Sequence, residues 1–101
     1  MKVLIAKSAE DDFADIANWI ARDSPTAARR VVRELRRNCA DLGRFPNRFP
    51  KLHPESQFRR RVAAPYVIIY TVEDAVIIAR VLHGARDYAA LFAGREDPDA
   101  P

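Results

Sequence analysis

The chain has 101 residues, 49% of them hydrophobic and 31% charged, a balance that fits one compact globular domain and excludes fibrous or low-complexity classes. Seventeen Lys and Arg, mostly Arg, against fourteen Asp and Glu give a formal net charge of +3, which permits acidic partners without demanding one. Cys39 is the one cysteine, so no internal disulfide is possible, and neither a signal peptide nor an apolar run of about 20 residues is present; a cytoplasmic location is expected.

Residues 1–7 (MKVLIAK) carry Val3, Leu4 and Ile5 and predict a short strand. Ser8-Ala9-Glu10-Asp11 resembles a capping box, with a helix starting there. Phe13, Ile16, Ala17 and Ile20 recur at helical spacing as an apolar stripe, with Trp19 at its flank. Asp23-Ser24-Pro25 ends that helix and starts a second, Ser24 as cap and Pro25 in the first turn. Ala28, Val31, Val32, Leu35, Cys39 and Leu42 form its stripe, and Gly43 with Phe45-Pro46 supplies the stop. So short a connection predicts an antiparallel helical hairpin.

Pro46, Pro50, Pro54 and Pro65 break up the segment that follows, which reads as a loop with one short strand over 58–62. Residues 66–72 (YVIIYTV) and 75–82 (AVIIARVL) flank Glu73-Asp74 as a β-hairpin. A loop of even length centred on Glu73-Asp74 pairs Tyr70 with Ile77, Ile68 with Ala79 and Val67 with Arg80. That register puts Tyr66, Ile68, Tyr70, Ile77, Ala79 and Val81 on one face and Val67, Ile69, Thr71, Val76, Ile78, Arg80 and Leu82 on the other. Both faces are largely apolar, and one helical hairpin covers only one of them; the other calls for the C-terminal segment or a partner. Residues 87–93 (DYAALFA) predict a last short helix, and residues 95–101 a tail without regular structure.

No metal is expected, because His53, His83, Cys39 and the scattered acids lack a ligand spacing, and no phosphate-cradling glycine loop is present. Cys39 lies on the apolar stripe of the second helix, where burial is the simpler role. Arg29, Arg30, Arg33, Arg36 and Arg37 share the polar part of that helix, while Glu10, Asp11, Asp12 and Asp15 crowd the first. Pairing across the hairpin or plain solvation competes with docking of an acidic partner. Arg59, Arg60 and Arg61 form a second cluster, in which strand alternation sends Arg60 to the opposite face. Metal-free RNA cleavage needs a base, cations around the phosphate and an acid. Arg60, Arg80, His83, Arg86 and Tyr88 supply such groups by type, but nearness in sequence does not make them converge.

The order strand, helix, helix, three strands resembles the ParE branch of the RelE/ParE type II toxin superfamily over residues 3–92. The supporting pieces are Ser8-Ala9 with Asp12-Phe13 and Ile16, Ala27-Ala28-Arg29 with Leu35, Phe45-Pro46, the run YVIIY from Tyr66 and RVLHGARD from Arg80. The resemblance implies a toxin that binds and poisons DNA gyrase and is silenced by a cognate ParD-like antitoxin in a hetero-oligomer. The RelE-like branch, which cleaves messenger RNA on the ribosome, is the alternative; a non-toxic partner in transcriptional autorepression is another. RelE-like nucleases carry an arginine directly after the tyrosine opening the central strand, where this chain has Val67. They also carry a C-terminal tyrosine where this chain has Phe92, and paired basic residues where it has Phe58 and Arg60. Phenyl and isopropyl groups neither exchange protons nor hold phosphate.

The expected fold is therefore α+β, an N-terminal strand and helical hairpin on a small, mostly antiparallel sheet of three or four strands with a short C-terminal helix, in one domain over residues 1–94. Expected target contacts are Arg80, His83, Arg86 and Tyr88; expected antitoxin contacts are Val67, Ile69, Ile78, Leu82 and Arg60, with the groove beside the helical hairpin as a further antitoxin seat. No catalytic residue, cofactor, membrane contact or direct nucleic-acid contact is expected.

Overall fold

The computed structural model describes residues 1–84; the helix expected over 87–93 and the tail at 95–101 lie outside them. In chain order the elements are β1 (Val3–Ile5), α1 (Lys7–Ala21), α2 (Pro25–Asp41), β2 (Phe58–Ala63), β3 (Tyr66–Val72) and β4 (Val76–His83). The strands form one sheet in the order β1-β4-β3-β2, with β1 parallel to β4 and the other neighbours antiparallel. The helical hairpin packs on one face, giving the α+β layering expected.

Ser24 caps α2 as its position predicts: its backbone is extended and its hydroxyl accepts from the Ala27 amide at 3.1 Å. The stripe of α2 buries Ala28, Leu35 and Cys39, and Leu42 follows them into the core. There they meet Ala9 and Phe13 of α1 and Ile68, Tyr70, Val76, Ile78 and Val81 of the sheet. Gly43 is required by a close approach: any Cβ there would strike the Met1 carbonyl oxygen and crowd Val3, and the terminal amine of Met1 donates to the Gly43 carbonyl at 2.9 Å. The end of α2 is thereby tied to the start of β1.

Three expectations are corrected. α1 begins at Lys7, with Ala6 as its cap residue and no side-chain cap. Ser8 lies inside the first turn and donates its hydroxyl to the Ala79 carbonyl at 2.7 Å instead, because the open edge of β4 has an unmet acceptor there.

The second correction concerns the β3–β4 register. The Glu73 amide donates to the Ala75 carbonyl, and Val72 pairs with Val76, so the loop has an odd length and Tyr70 faces Ile78 rather than Ile77. A one-residue offset inverts the faces of the strand. Val76 and Ile78, expected on the second face, are both 0% exposed in the main core. An irregularity between Ile69 and Tyr70 then shifts the register again, pairing Ile69 with Arg80 and Ile68 with Val81. That second offset is a β-bulge at Ala79, and it returns Val81 and Leu82 to their expected faces.

The second face is not bare. Val67, Ile69 and Leu82 are buried, and Leu52 and Phe58 pack against them. Leu52 belongs to the proline-rich segment, which runs back beside β2: its amide donates to the Phe58 carbonyl, and the Arg60 amide donates to the Pro50 carbonyl. This cover comes from within the chain, where the sequence called for the C-terminal segment or a partner.

The register sets a direct test. Ile78→Ala should cost about 2–5 kcal/mol of stability in denaturant unfolding, and Ile77→Ala, half-buried on the other face, about 1 kcal/mol. Equal losses, or the reverse order, would contradict the odd-length turn.

Candidate functional site

β1 covers only Val76, Ile77 and Ile78 of β4. Beyond that point no strand lies on this edge among the described residues, and backbone groups left there need other partners. The entry to α1 and its first turns supply them. The Ala6 amide donates to the Ile78 carbonyl at 2.9 Å, Ser8 meets the next carbonyl, that of Ala79, and the Val81 amide donates to the Asp12 carboxylate at 2.8 Å. Successive carbonyls on one edge are what the bulge provides, since a regular strand points them to alternate sides.

The same Asp12 carboxylate receives Nε and Nη2 of Arg80 at 2.8 and 3.0 Å. Asp12 is 12% exposed and Arg80 40%, so this is a two-pronged, charge-assisted contact at the margin of the core. It holds the guanidinium in one place and joins α1 to β4.

Above this clamp lies a groove of about 570 Å³ between α1 and the sheet. Its α1 wall carries Asp15 and Trp19, its sheet wall Tyr66, Arg80 and His83. Tyr66 and His83 are register partners whose rings meet edge to face at 5.8 Å. Trp19 is 62% exposed, with the Arg22 guanidinium 4.8 Å from its ring. The structure thus brings together two of the expected target contacts, Arg80 and His83, and adds Asp12, Asp15, Trp19 and Tyr66. Arg86 and Tyr88 lie outside the described residues. Asp12, Asp15 and Trp19 recur along one side of α1, a spacing that could have been read as a second, polar stripe.

The remaining expected contacts sit elsewhere. Arg60 is on the face away from the helices, as alternation predicts, and donates to the Lys51 carbonyl at 3.3 Å. Arg59 and Arg61 are on the helix face: Arg59 donates to the Phe49 carbonyl at 2.6 Å, and Arg61 reaches Asp41 at 3.2 Å. Val67, Ile69 and Leu82 are covered, and Ile78 is internal.

One pair joins the charged faces of the hairpin, Arg36 with Glu10 at 2.7 Å, and its hydrogen bond draws the Glu10 carboxyl below the usual carboxylate range. Among the described residues Arg29, Arg30 and Arg33 make no ion pair. Burial pushes the Cys39 thiol up to about 12, so it carries almost no thiolate near neutral pH. Among the described residues no cluster of His, Cys, Asp and Glu has the makings of a metal site, and no helix is long and apolar enough to cross a membrane.

The two acid–arginine pairs should behave differently. Asp12→Ala leaves the Val81 amide and Arg80 without this acceptor and should cost about 1.5–3 kcal/mol. Glu10→Gln, at an exposed pair, should cost under about 1 kcal/mol. Because the folded Glu10 carboxyl titrates below its unfolded value, that small contribution is present above the ordinary carboxylate range and disappears as pH falls through the folded value. Chemical unfolding of both variants near pH 7 and near pH 3 checks the order and the sign.

Comparison with known proteins agrees with this architecture. The family model for the ParE toxin of type II toxin-antitoxin system parDE matches residues 3–88. Toxin RelE2 of Caulobacter vibrioides is 34% identical over 76 residues, covering 74% of this chain and 85% of that protein. A solved structure of the chromosomal ParDE TA system from P. aeruginosa superposes with a TM-score of 0.71 at 16% identity, covering 82% of this chain and 95% of that one. With a four-stranded sheet, a helical hairpin and a family match running through nearly all of its length, the chain belongs to the ParE toxins of type II toxin–antitoxin systems, within the ParE/RelE group.

Proposed function

We propose that the protein arrests growth by binding and poisoning DNA gyrase, without chemistry of its own, and that a ParD-like antitoxin neutralises it. The observation that carries the target reading is Val67. It follows Tyr66 at the start of β3, the place where RelE-like nucleases carry an arginine, and its side chain is buried with Ile69 and Leu82. An apolar side chain packed in this way offers a phosphate nothing. Arg80 supports the same reading, since its two prongs on Asp12 suit a fixed contact surface better than a cation that follows a moving charge.

The antitoxin's seat is the groove along the outer side of the helical hairpin, about 590 Å³. Ala17, Ala21, Ala28 and Val32 make its floor, and Arg29 and Arg33 stand on its rim. An apolar floor edged by Arg29 and Arg33, which make no ion pair among the described residues, suits an acidic, amphipathic segment that folds as it binds.

A second reading rests on specific observations. A relative at 34% identity is named Toxin RelE2, and the groove gathers a phenol, a guanidinium and an imidazole from Tyr66, Arg80 and His83, groups of the kinds RNA cleavage uses. Expression without antitoxin, followed by pulse labelling of DNA, RNA and protein, separates the two. The gyrase reading expects DNA synthesis to stop first and the purified protein to block gyrase supercoiling. Early loss of protein synthesis with cut messages supports the ribonuclease instead. Normal growth would leave only a repression partner.

A further inference from the structure

The segment between α2 and β2 is held far more firmly than a proline-rich loop needs to be. Its carbonyls are met one after another: Phe45 accepts from the Arg48 amide at 3.2 Å, Pro46 from the buried Tyr70 hydroxyl at 2.9 Å, and Asn47 and Phe49 from the Arg59 guanidinium at 3.3 and 2.6 Å. Phe49 turns inward against the core and takes the Arg61 guanidinium 4.8 Å from its ring. Phe45 turns outward and is 58% exposed. Arg44 and Arg48 flank it, both exposed and, among the described residues, in no ion pair. The sequence from 42 to 54 holds Arg44, Arg48 and Lys51 and no carboxylate. A shallow depression of about 480 Å³ opens beside the ring, walled by Pro46 and Asn47.

A rigid backbone that presents an exposed phenyl ring between two cations, neither in an ion pair among the described residues and Arg48 lying 5.5 Å from the Phe49 ring, is a stacking platform with phosphate neutralisers on either side. We propose that this loop binds single-stranded nucleic acid, one base stacking on Phe45 while Arg44 and Arg48 engage the flanking phosphates. Size favours this over a protein partner. A protein interface needs about 800 Å² from each side, whereas one phenyl ring gives a small fraction of that; single strands bind through individual stacked bases and point charges. The proposal departs from the expectation of no direct nucleic-acid contact. It does not depend on the choice of target, because nucleic acid is present on gyrase and on the ribosome alike.

The test is fluorescence polarisation of the full chain with labelled oligothymidylate and oligouridylate of about twelve nucleotides. Saturable binding to either strand supports the proposal, and the ratio of the two affinities says whether DNA or RNA is the natural source. Phe45→Ala should weaken binding about five- to 150-fold, and Phe45→Trp should retain it. Arg44→Gln with Arg48→Gln should flatten the salt dependence by about 0.7 per arginine on a log–log plot. Thermal melting of each variant confirms that it is folded. No binding, binding that Phe45→Ala leaves unchanged, or binding to polyglutamate alone would overturn the proposal.

Discussion

The half-covered edge of β4 is the constraint on which this molecule is built. Among the described residues, a three-residue β1 leaves the far end of β4 without a strand on that edge, and buried backbone groups cannot be left unmet. The chain answers with a helix rather than a strand. Ala6, Ser8 and Asp12 each meet one backbone group of β4, which fixes how far α1 advances along the sheet and at what angle it leaves it. The bulge at Ala79 belongs to the same arrangement, since it presents two successive carbonyls to the start of the helix. Because Asp12 also takes both prongs of Arg80, the contact that seals the edge also sets the floor of the groove above it.

That groove explains why related folds can serve different ends. Its walls are an α1 side, with Trp19 and Asp15, and the ends of β3 and β4, with Tyr66, Arg80 and His83. The fold places the walls; the side chains decide what they do. In this chain the neighbour of Tyr66 is an inward-packed valine and the arginine is already engaged by a carboxylate. The surface therefore sets aromatic and polar groups around a charge tethered to α1. The opposite side of the helical hairpin is a different surface in kind, an alanine-lined trough edged by Arg29 and Arg33, which make no ion pair among the described residues.

Much of this could be read from residue order. β3 has the expected bounds, Ser24 caps α2, the stripe through Leu35, Cys39 and Leu42 is buried, and Arg60 faces away from Arg59 and Arg61. These features depend on local spacing, which periodicity and cap chemistry express directly. What could not be read depends on geometry between distant segments. Nothing in Glu73-Asp74-Ala75 reveals that Ala75 is drawn into the turn, and that one residue decides whether Ile77 or Ile78 is core. Ser8 looks like a cap because serines near helix starts usually are; only the unmet Ala79 carbonyl, far along the chain, redirects it. The cover over Val67, Ile69 and Leu82 was missed for a similar reason, since Leu52 sits among prolines and its pairing with Phe58 has no periodic mark. Of the candidate site, Arg80 and His83 were legible as unusual residues ending an apolar strand, whereas the spacing of Asp12, Asp15 and Trp19 marks a polar side of α1 without saying that it meets that strand.

The most direct measurement of the central constraint is amide hydrogen exchange of the native protein, followed residue by residue by NMR. If the α1 carboxylate closes the edge of β4, the Val81 amide exchanges as slowly as the protected amides of the β3–β4 ladder, opening only with global unfolding. A Val81 amide that exchanges many times faster than that ladder would mean that α1 only rests beside the sheet, and the account of how the groove is positioned would fail.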